Sequence, residues 1–229
     1  MEAQDVPWGK AFAHHPGGRS GTRNARHGRR GLDLRAVKTA QLRTVLVAAC
    51  LAAAVTTTAC GSEEPVTNAP SEGTYVDIGS VAYQVQISRS LNPKSAEDPS
   101  YLVGLPASEK QQPLKGTELW FAVFLRAQNY GDKPQQLATK FRVVDTEDKA
   151  WTPITLNSDN QFAWNPTEAL VPDYIYPAPS SLAGSGPVRQ GALLLFRLDD
   201  SVYQNRPLIL EIYDPADATK VAARVSLDL

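Results

Sequence analysis

The chain has 229 residues, 21% charged and 42% hydrophobic, with 15 Gly and 17 Pro. That suits one ordinary globular domain plus an additional segment, and excludes a collagen, a coiled coil or a wholly disordered chain. The formal net charge of −1 averages two unlike parts: residues 1–59 carry 9 basic and 3 acidic side chains, residues 60–229 carry 14 and 21. All three histidines (His14, His15, His27) lie in the first part, so everything after residue 59 has no His, no Met and one Cys.

Residues 1–36 are rich in Arg and Gly and hold little that could form a core. One reading is a disordered basic tail for nucleic acid. A tail ahead of a secretion signal would stay in the cytoplasm or leave with the signal, however, so no nucleic-acid partner is expected for the mature protein. The other reading is an upstream extension from a mis-set start, with Val37-Lys38-Thr39 as the true opening.

Residues 37–59 read as a signal peptide. Thr44 to Ala59 is free of charge, with Lys38 and Arg43 before it and Cys60-Gly61-Ser62-Glu63-Glu64 after it. Its strongly apolar part, Val45 to Val55, is short of the ~20 residues a membrane span needs and suits a secretory apolar region. Thr57-Thr58-Ala59-Cys60 resembles the lipobox of bacterial lipoproteins, in which the Cys thiol receives a diacylglyceryl group and becomes the new N-terminus. The usual Leu or Val is Thr57 here. Alternatives are a free or disulfide-bonded Cys60 after ordinary cleavage, a Cys50–Cys60 bridge, or lipidation of Cys50 after Val47-Ala48-Ala49. The last would leave a short apolar run before the cleavage and an apolar tail after it. The expected partner is therefore a lipid bilayer, through Cys60, where two acyl chains hold far better than one.

Residues 60–73 read as the lipidated Cys and a flexible tether, with two prolines, three glutamates and no apolar period in Gly61 to Gly73. As a coil those 13 residues span roughly 20 Å, and about 40 Å stretched.

Residues 74–229 have the texture of an all-β fold. Tyr75 to Ile78 and Val81 to Ile87 come first, with Val81, Tyr83, Val85 and Ile87 expected on one face. Leu119 to Leu125 is apolar on both parities, which suits a central strand covered on both sides, and Asn129 to Pro134 supplies the turn after it. Leu137, Thr139, Phe141 and Val143 continue with period two. Asp145 to Lys149 is a hairpin connection and Trp151 to Leu156 its return. Ala192 to Leu198, Leu208 to Tyr213 and Val221 to Leu227 follow. No stretch of ten residues carries a helical period, and about seven strands point to a two-sheet, immunoglobulin-like sandwich behind the signal helix.

Two long Pro-rich insertions, Leu91 to Gly116 and Asn157 to Gln190, interrupt this spacing. Loops of such length tend to be functional or disordered, and the second carries Phe162, Trp164, Leu170, Val171, Tyr174, Ile175 and Tyr176. Either it folds back over a sheet face or edge, or Trp164, Tyr174 and Tyr176 form a partner-binding surface.

The runs Glu118 to Pro134, Phe141 to Trp151 and Gly191 to Leu198 resemble a bacterial envelope domain of unknown function. It is similar to immunoglobulin-like domains of lipoproteins and of a secreted mycobacterial immunoprotective antigen. The likeness covers roughly Tyr75 to Leu229. It implies a fold and an extracytoplasmic place, and carries over no catalytic residues.

The chemical inventory is narrow. Without His, the mature chain cannot build a Ser-His-Asp or Cys-His arrangement, and zinc or copper would find no His, Met or spare Cys. No metal or cofactor is expected. Carboxylate chemistry stays open through Asp145, Glu147, Asp148, Asp199 and Asp200, as glycosidase acids or Ca²⁺ ligands, against the plainer reading that these are turn residues. Gly184-Ser185-Gly186 lacks the Lys-Ser/Thr of a phosphate loop and reads as a bend. The sequence thus points to a non-enzymatic, lipid-anchored protein that binds an envelope partner. The alternatives are a carboxylate enzyme acting on envelope glycans and a structural accessory of a membrane complex.

Overall fold

The computed structural model describes residues 64–185 and 191–228, all within the unit from Ser62 to Leu229. The stretches read as an upstream extension and a signal peptide, Cys60, and residues 186–190 lie outside the described residues.

The central element is β4 (Glu118–Asn129), whose residues from Trp120 to Leu125 are all buried. It pairs antiparallel with β3 (Val81–Leu91) on one side. On the other it pairs with β8 (Ala192–Asp199) and, in line beyond it, with the short β7 (Ile175–Tyr176). β2 (Tyr75–Ile78) closes this sheet beyond β3. The second sheet runs β1 (Asn68–Ala69), β10 (Val221–Leu227), β9 (Leu208–Tyr213), β5 (Phe141–Val144) and β6 (Ala150–Trp151). Seven of these strands have four or more residues, so the all-β sandwich expected from the strand spacing is the fold. Its routing differs from an immunoglobulin constant domain, where the third strand crosses to the opposite sheet. Here the third long strand, β4, stays beside the second.

Between the sheets lies the larger core, with Tyr83, Phe121, Leu125, Phe141, Phe196 and Leu210 fully or almost fully buried. A second core lies on the other face of β4, where Trp120, Ala122 and Phe124 meet Leu193 and Leu195 of β8. The two insertions cover it. The first supplies Tyr101, Leu105 and Leu114, and the second supplies Phe162. Tyr101 stands edge-on to both Phe124, at 5.1 Å, and Phe162, at 4.9 Å, which suits the ring quadrupoles. The described unit therefore has three layers, two sheets and a cover of loops. On the outer face of the second sheet the partly exposed Arg142 and Arg224 cover the buried Glu211, at 2.5 Å and 3.2 Å.

Polar groups fasten the cover. Asp98 receives a bidentate guanidinium from Arg89 at 2.6 and 3.1 Å, and the Asn92 N–H at 2.7 Å. Asn160 donates to the carbonyls of Tyr101 and Val103, joining one insertion to the other. The Asn157 N–H reaches Gly104 O at 2.9 Å. Gly104 has φ +77°, and a Cβ there would stand 2.5 Å from Asn157 Oδ1, so only glycine fits. Arg197, stacked over Trp120, binds Glu109 and Glu118 and so holds the short α1 (Ala107–Gln111) against the sheet.

Four local expectations are corrected. A register shift between Val85 and Ile87 turns Ile87 to the outer core, away from Val81, Tyr83 and Val85; a bulge adds one residue and so inverts the alternation. Leu137 and Ala138 are both buried while Thr139 is exposed, so the period-two pattern starts only at Phe141. The return strand ends at Trp151, and the chain then crosses to β8, where the Ile154 N–H donates to Leu195 O at 2.7 Å. The segment read as tether up to Gly73 joins the sandwich from Val66 onward. Val66 exchanges hydrogen bonds with Asp77, β1 pairs parallel with β10, and Glu72 accepts from Ser88 and from the Asp228 N–H.

Arg89, helped by the Asn92 N–H, holds the Asp98 carboxyl below its ordinary value against the opposing effect of burial. A carboxyl depressed in the folded state contributes stability above its unfolded pKa of ~3.9, and that contribution is lost as pH falls through the lower folded value. Asp98→Asn should therefore lower the unfolding free energy by about 2 kcal/mol at pH 7. In urea titrations the gap between variant and parent should narrow below pH 4. A gap independent of pH would contradict the pairing.

Candidate functional site

The second insertion was the sequence candidate for binding, and its path is set by backbone pairing. Leu193 is bracketed by the insertion, its N–H donating to Phe162 O at 2.6 Å and its carbonyl receiving the Trp164 N–H at 2.8 Å. Together with Ile154 this occupies the free edge of β8, which would otherwise offer unpaired groups to another strand. Further on, Leu170 and Gln135 exchange two hydrogen bonds, and Asn129 exchanges two with Asp173 and Tyr174.

Asn129 is the polar centre of this region. It is fully buried, and its side-chain amide donates to the carbonyls of Lys133 and Leu170, both at 2.8 Å. Its Oδ1 accepts from the Gly131 N–H at 2.9 Å and, at 3.5 Å, from the Ser80 hydroxyl. One side chain thus fixes the turn after β4, the β2–β3 turn and the insertion.

The three aromatic candidates separate. Trp164 packs against the inter-sheet core, its indole N–H donating to Ala138 O at 2.8 Å and its ring meeting Tyr176, Phe141 and Tyr83 at 5.0, 5.7 and 6.2 Å. Tyr176 is half-buried in β7, its hydroxyl oxygen accepting from the Asn165 N–H at 3.1 Å. Burial pushes its phenol above the usual value, and it pushes the phenol of Tyr83, whose oxygen accepts the Ala138 N–H, to about 12. Tyr174 alone points out, 65% exposed. Covering and display are therefore divided within one segment: the insertion is mostly a cover, and its Val171–Tyr174 corner is displayed. Tyr130, 60% exposed on the adjoining turn, was read in the sequence only as a turn residue. The signal that could have found it is a large ring between Asn129 and Gly131, at a turn position that needs none.

Two grooves flank Asn165 and Pro166. One, of about 490 Å³, is lined by Leu137, Leu170, Val171, Tyr174 and Tyr176. The other, of about 330 Å³, runs between Thr139 to Phe141 and Thr152 to Leu156, with Trp164 on its wall. Both are mainly apolar, with the flanking amide of Asn165 in common.

The carboxylates named as candidate acids sit elsewhere, in turn and ion-pair roles. Asp145 accepts the N–H groups of Glu147 and Lys149 and the Asn205 amide, and Asp148 occupies the left-handed position of that turn at φ 61°. Asp199 is paired with Lys149 at 2.6 Å and takes the Trp151 indole at 3.3 Å, and Lys149 holds its carboxyl below the usual range. Asp200 opens a 3-10 turn after β8. Among the described residues no group of three or more acidic, His or Cys side chains could hold a metal ion, and no helix is long and apolar enough to cross a membrane.

No family model matches the chain, and no curated protein matches it. Among solved structures it is similar to an uncharacterized β-sandwich protein of Clostridium difficile 630, at 9% identity and a TM-score of 0.37, over 72% of this chain and 97% of that one. It is also similar to a functionally unknown protein of Listeria monocytogenes EGD-e, at 11% identity and a TM-score of 0.40, over 70% and 83%. Neither description speaks of a lipoprotein or of the mycobacterial antigen.

Asn129→Ala should remove four side-chain hydrogen bonds and leave buried partners unsatisfied, at a cost of about 3 kcal/mol. The midpoint of urea unfolding reads this loss. A change below about 0.5 kcal/mol, the range of an ordinary surface substitution, would contradict the role given to Asn129.

Proposed function

We propose that the protein is a lipid-anchored, extracytoplasmic binding module: diacylated at Cys60, non-catalytic, and engaging a protein partner of the cell envelope through the smaller groove, between Thr139 to Phe141 and Thr152 to Leu156. The observation that carries this reading is the sequence at residues 37–64, where a short charge-free run after Arg43 ends in small residues and Cys60, followed at once by acidic and polar residues. The β-sandwich supports it as a self-contained body that starts only a few residues beyond that Cys.

That groove suits a binding role because Phe141, Ile154, Leu156 and Trp164 line it and Thr139, Thr152 and Asn165 add a few polar groups. Trp164 lines it while packed against the inter-sheet core, with its indole N–H held by Ala138 O, so its ordering cost is already met in the free protein. Of the carboxylates named as candidate acids, Asp145 is engaged by the N–H groups of its own turn and Asp199 is paired with Lys149, which favours the binding role over glycan hydrolysis.

Cys60→Ala should move the protein from the membrane fraction to the soluble fraction of lysed cells, since one unacylated signal remnant cannot replace two chains; undiminished membrane retention would overturn the anchor. A photo-crosslinking side chain at Thr152, on the rim of the smaller groove, should capture one discrete envelope protein in cells, and the same group at Lys94, in the first insertion, should not. Equal capture from both positions would overturn the groove as the binding site.

A further inference from the structure

We infer that the end of the sandwich bearing Tyr130, Val171 and Tyr174 rests on the bilayer, with the two tyrosine rings seated among the lipid headgroups. The inference rests on the lipid at Cys60 and goes beyond it, because an anchor alone does not say which face of the body meets the membrane.

The chain joins the sandwich at Val66, through its mutual hydrogen bonds with Asp77. Asp77 pairs with Ala82, on either side of the β2–β3 turn at Gly79 and Ser80. Val81 pairs with Asn129, and the Tyr130 N–H donates to Ser80 O at 2.9 Å. Asn129 pairs in turn with Asp173 and Tyr174. Val66, Tyr130, Val171 and Tyr174 therefore share one end of the molecule. They are four of the eight exposed large apolar side chains among the described residues. The opposite end is marked by Leu91, Glu118 and Asp199, beyond the full length of β4. A 12-residue strand is about 40 Å long.

The leash is shorter than that. Five residues, 61–65, separate Cys60 from Val66, and six Cα steps reach at most about 20 Å. Val66 is thus confined within that distance of the acyl chains, and the tyrosine end is the part of the body brought nearest the headgroups. Tyrosine suits that layer, its ring apolar and its hydroxyl able to stay hydrated. The charges at this end, with Asp132 beside Lys133 and Asp173 beside Tyr174, do not form a basic patch, so contact is expected to depend on the rings and little on anionic lipid.

The test uses the full chain, expressed and lipidated in cells, purified, and reconstituted into phosphatidylcholine vesicles containing a headgroup-quencher lipid. With Cys60 acylated and Cys50 removed with the signal, a single added Cys takes an environment-sensitive fluorophore cleanly. Asp132→Cys places it beside Tyr130, and Lys115→Cys places it at the far end; both leave the tyrosines intact. Quenching at position 132 should exceed that at 115 at least threefold, and Tyr130→Ser with Tyr174→Ser should reduce that ratio towards one. Equal quenching at the two positions, on protein shown by intact mass to be diacylated, overturns the docking and leaves the anchor standing. Preferential quenching that survives the double serine variant overturns the role of the tyrosines. An unmodified Cys60 overturns both proposals.

Discussion

β4 is apolar on both faces, and the rest of the architecture answers that constraint. Phe121, Val123 and Leu125 face the opposing sheet, while Trp120, Ala122 and Phe124 face outward. A two-sheet sandwich can bury only the first set. Leaving a Trp, a Phe and the matching Leu193 and Leu195 in water would cost several kcal/mol at ~25 cal/mol per Å², and it would expose a patch prone to association. The two long insertions supply the missing layer.

A cover made of loops carries backbone groups that no sheet satisfies, and the polar side chains at its seams meet that need. Asp98, Asn129 and Asn160 are each buried and each accept or donate several hydrogen bonds to backbone or guanidinium groups. Asparagine is well suited to this, having two donors and an acceptor in one flat group. The same stitching explains why the second insertion is hydrogen-bonded where it crosses β8 and β4 and yet projects Tyr174 at its corner: the carbonyl and N–H of that residue are committed, and its ring is exposed.

The sequence revealed the strands well because their period-two patterns and turn residues act locally. Leu119 to Leu125 even announced its double burial. What it could not show was phase. The bulge between Val85 and Ile87 and the paired burial of Leu137 and Ala138 both come from contacts across the molecule, and a strand read alone continues its alternation. The part played by Val66 to Gly73 was hidden for a related reason: a polar stretch with one buried alanine, Ala69, looks like a linker until its partner strand, β10, is known. Trp164 and Tyr176 were visible as candidates by residue type. Their inward orientation was not, since it depends on Ala138 and Asn165, which carry no signal of their own.

Division of labour follows from this layout. The two sheets and the cover over the outer face of β4 form one body, the smaller groove beside Pro166 lies on that body, and the Val66 end gathers the exposed Tyr130, Val171 and Tyr174. Hydrogen–deuterium exchange of backbone amides tests the cover most directly. If the insertion is a fixed third layer, the amides of Asn157, Trp164, Leu170 and Asp173 should exchange orders of magnitude more slowly than free peptide and approach those of β8. Exchange of these four at free-peptide rates, with β4 and β8 still protected, would contradict the account.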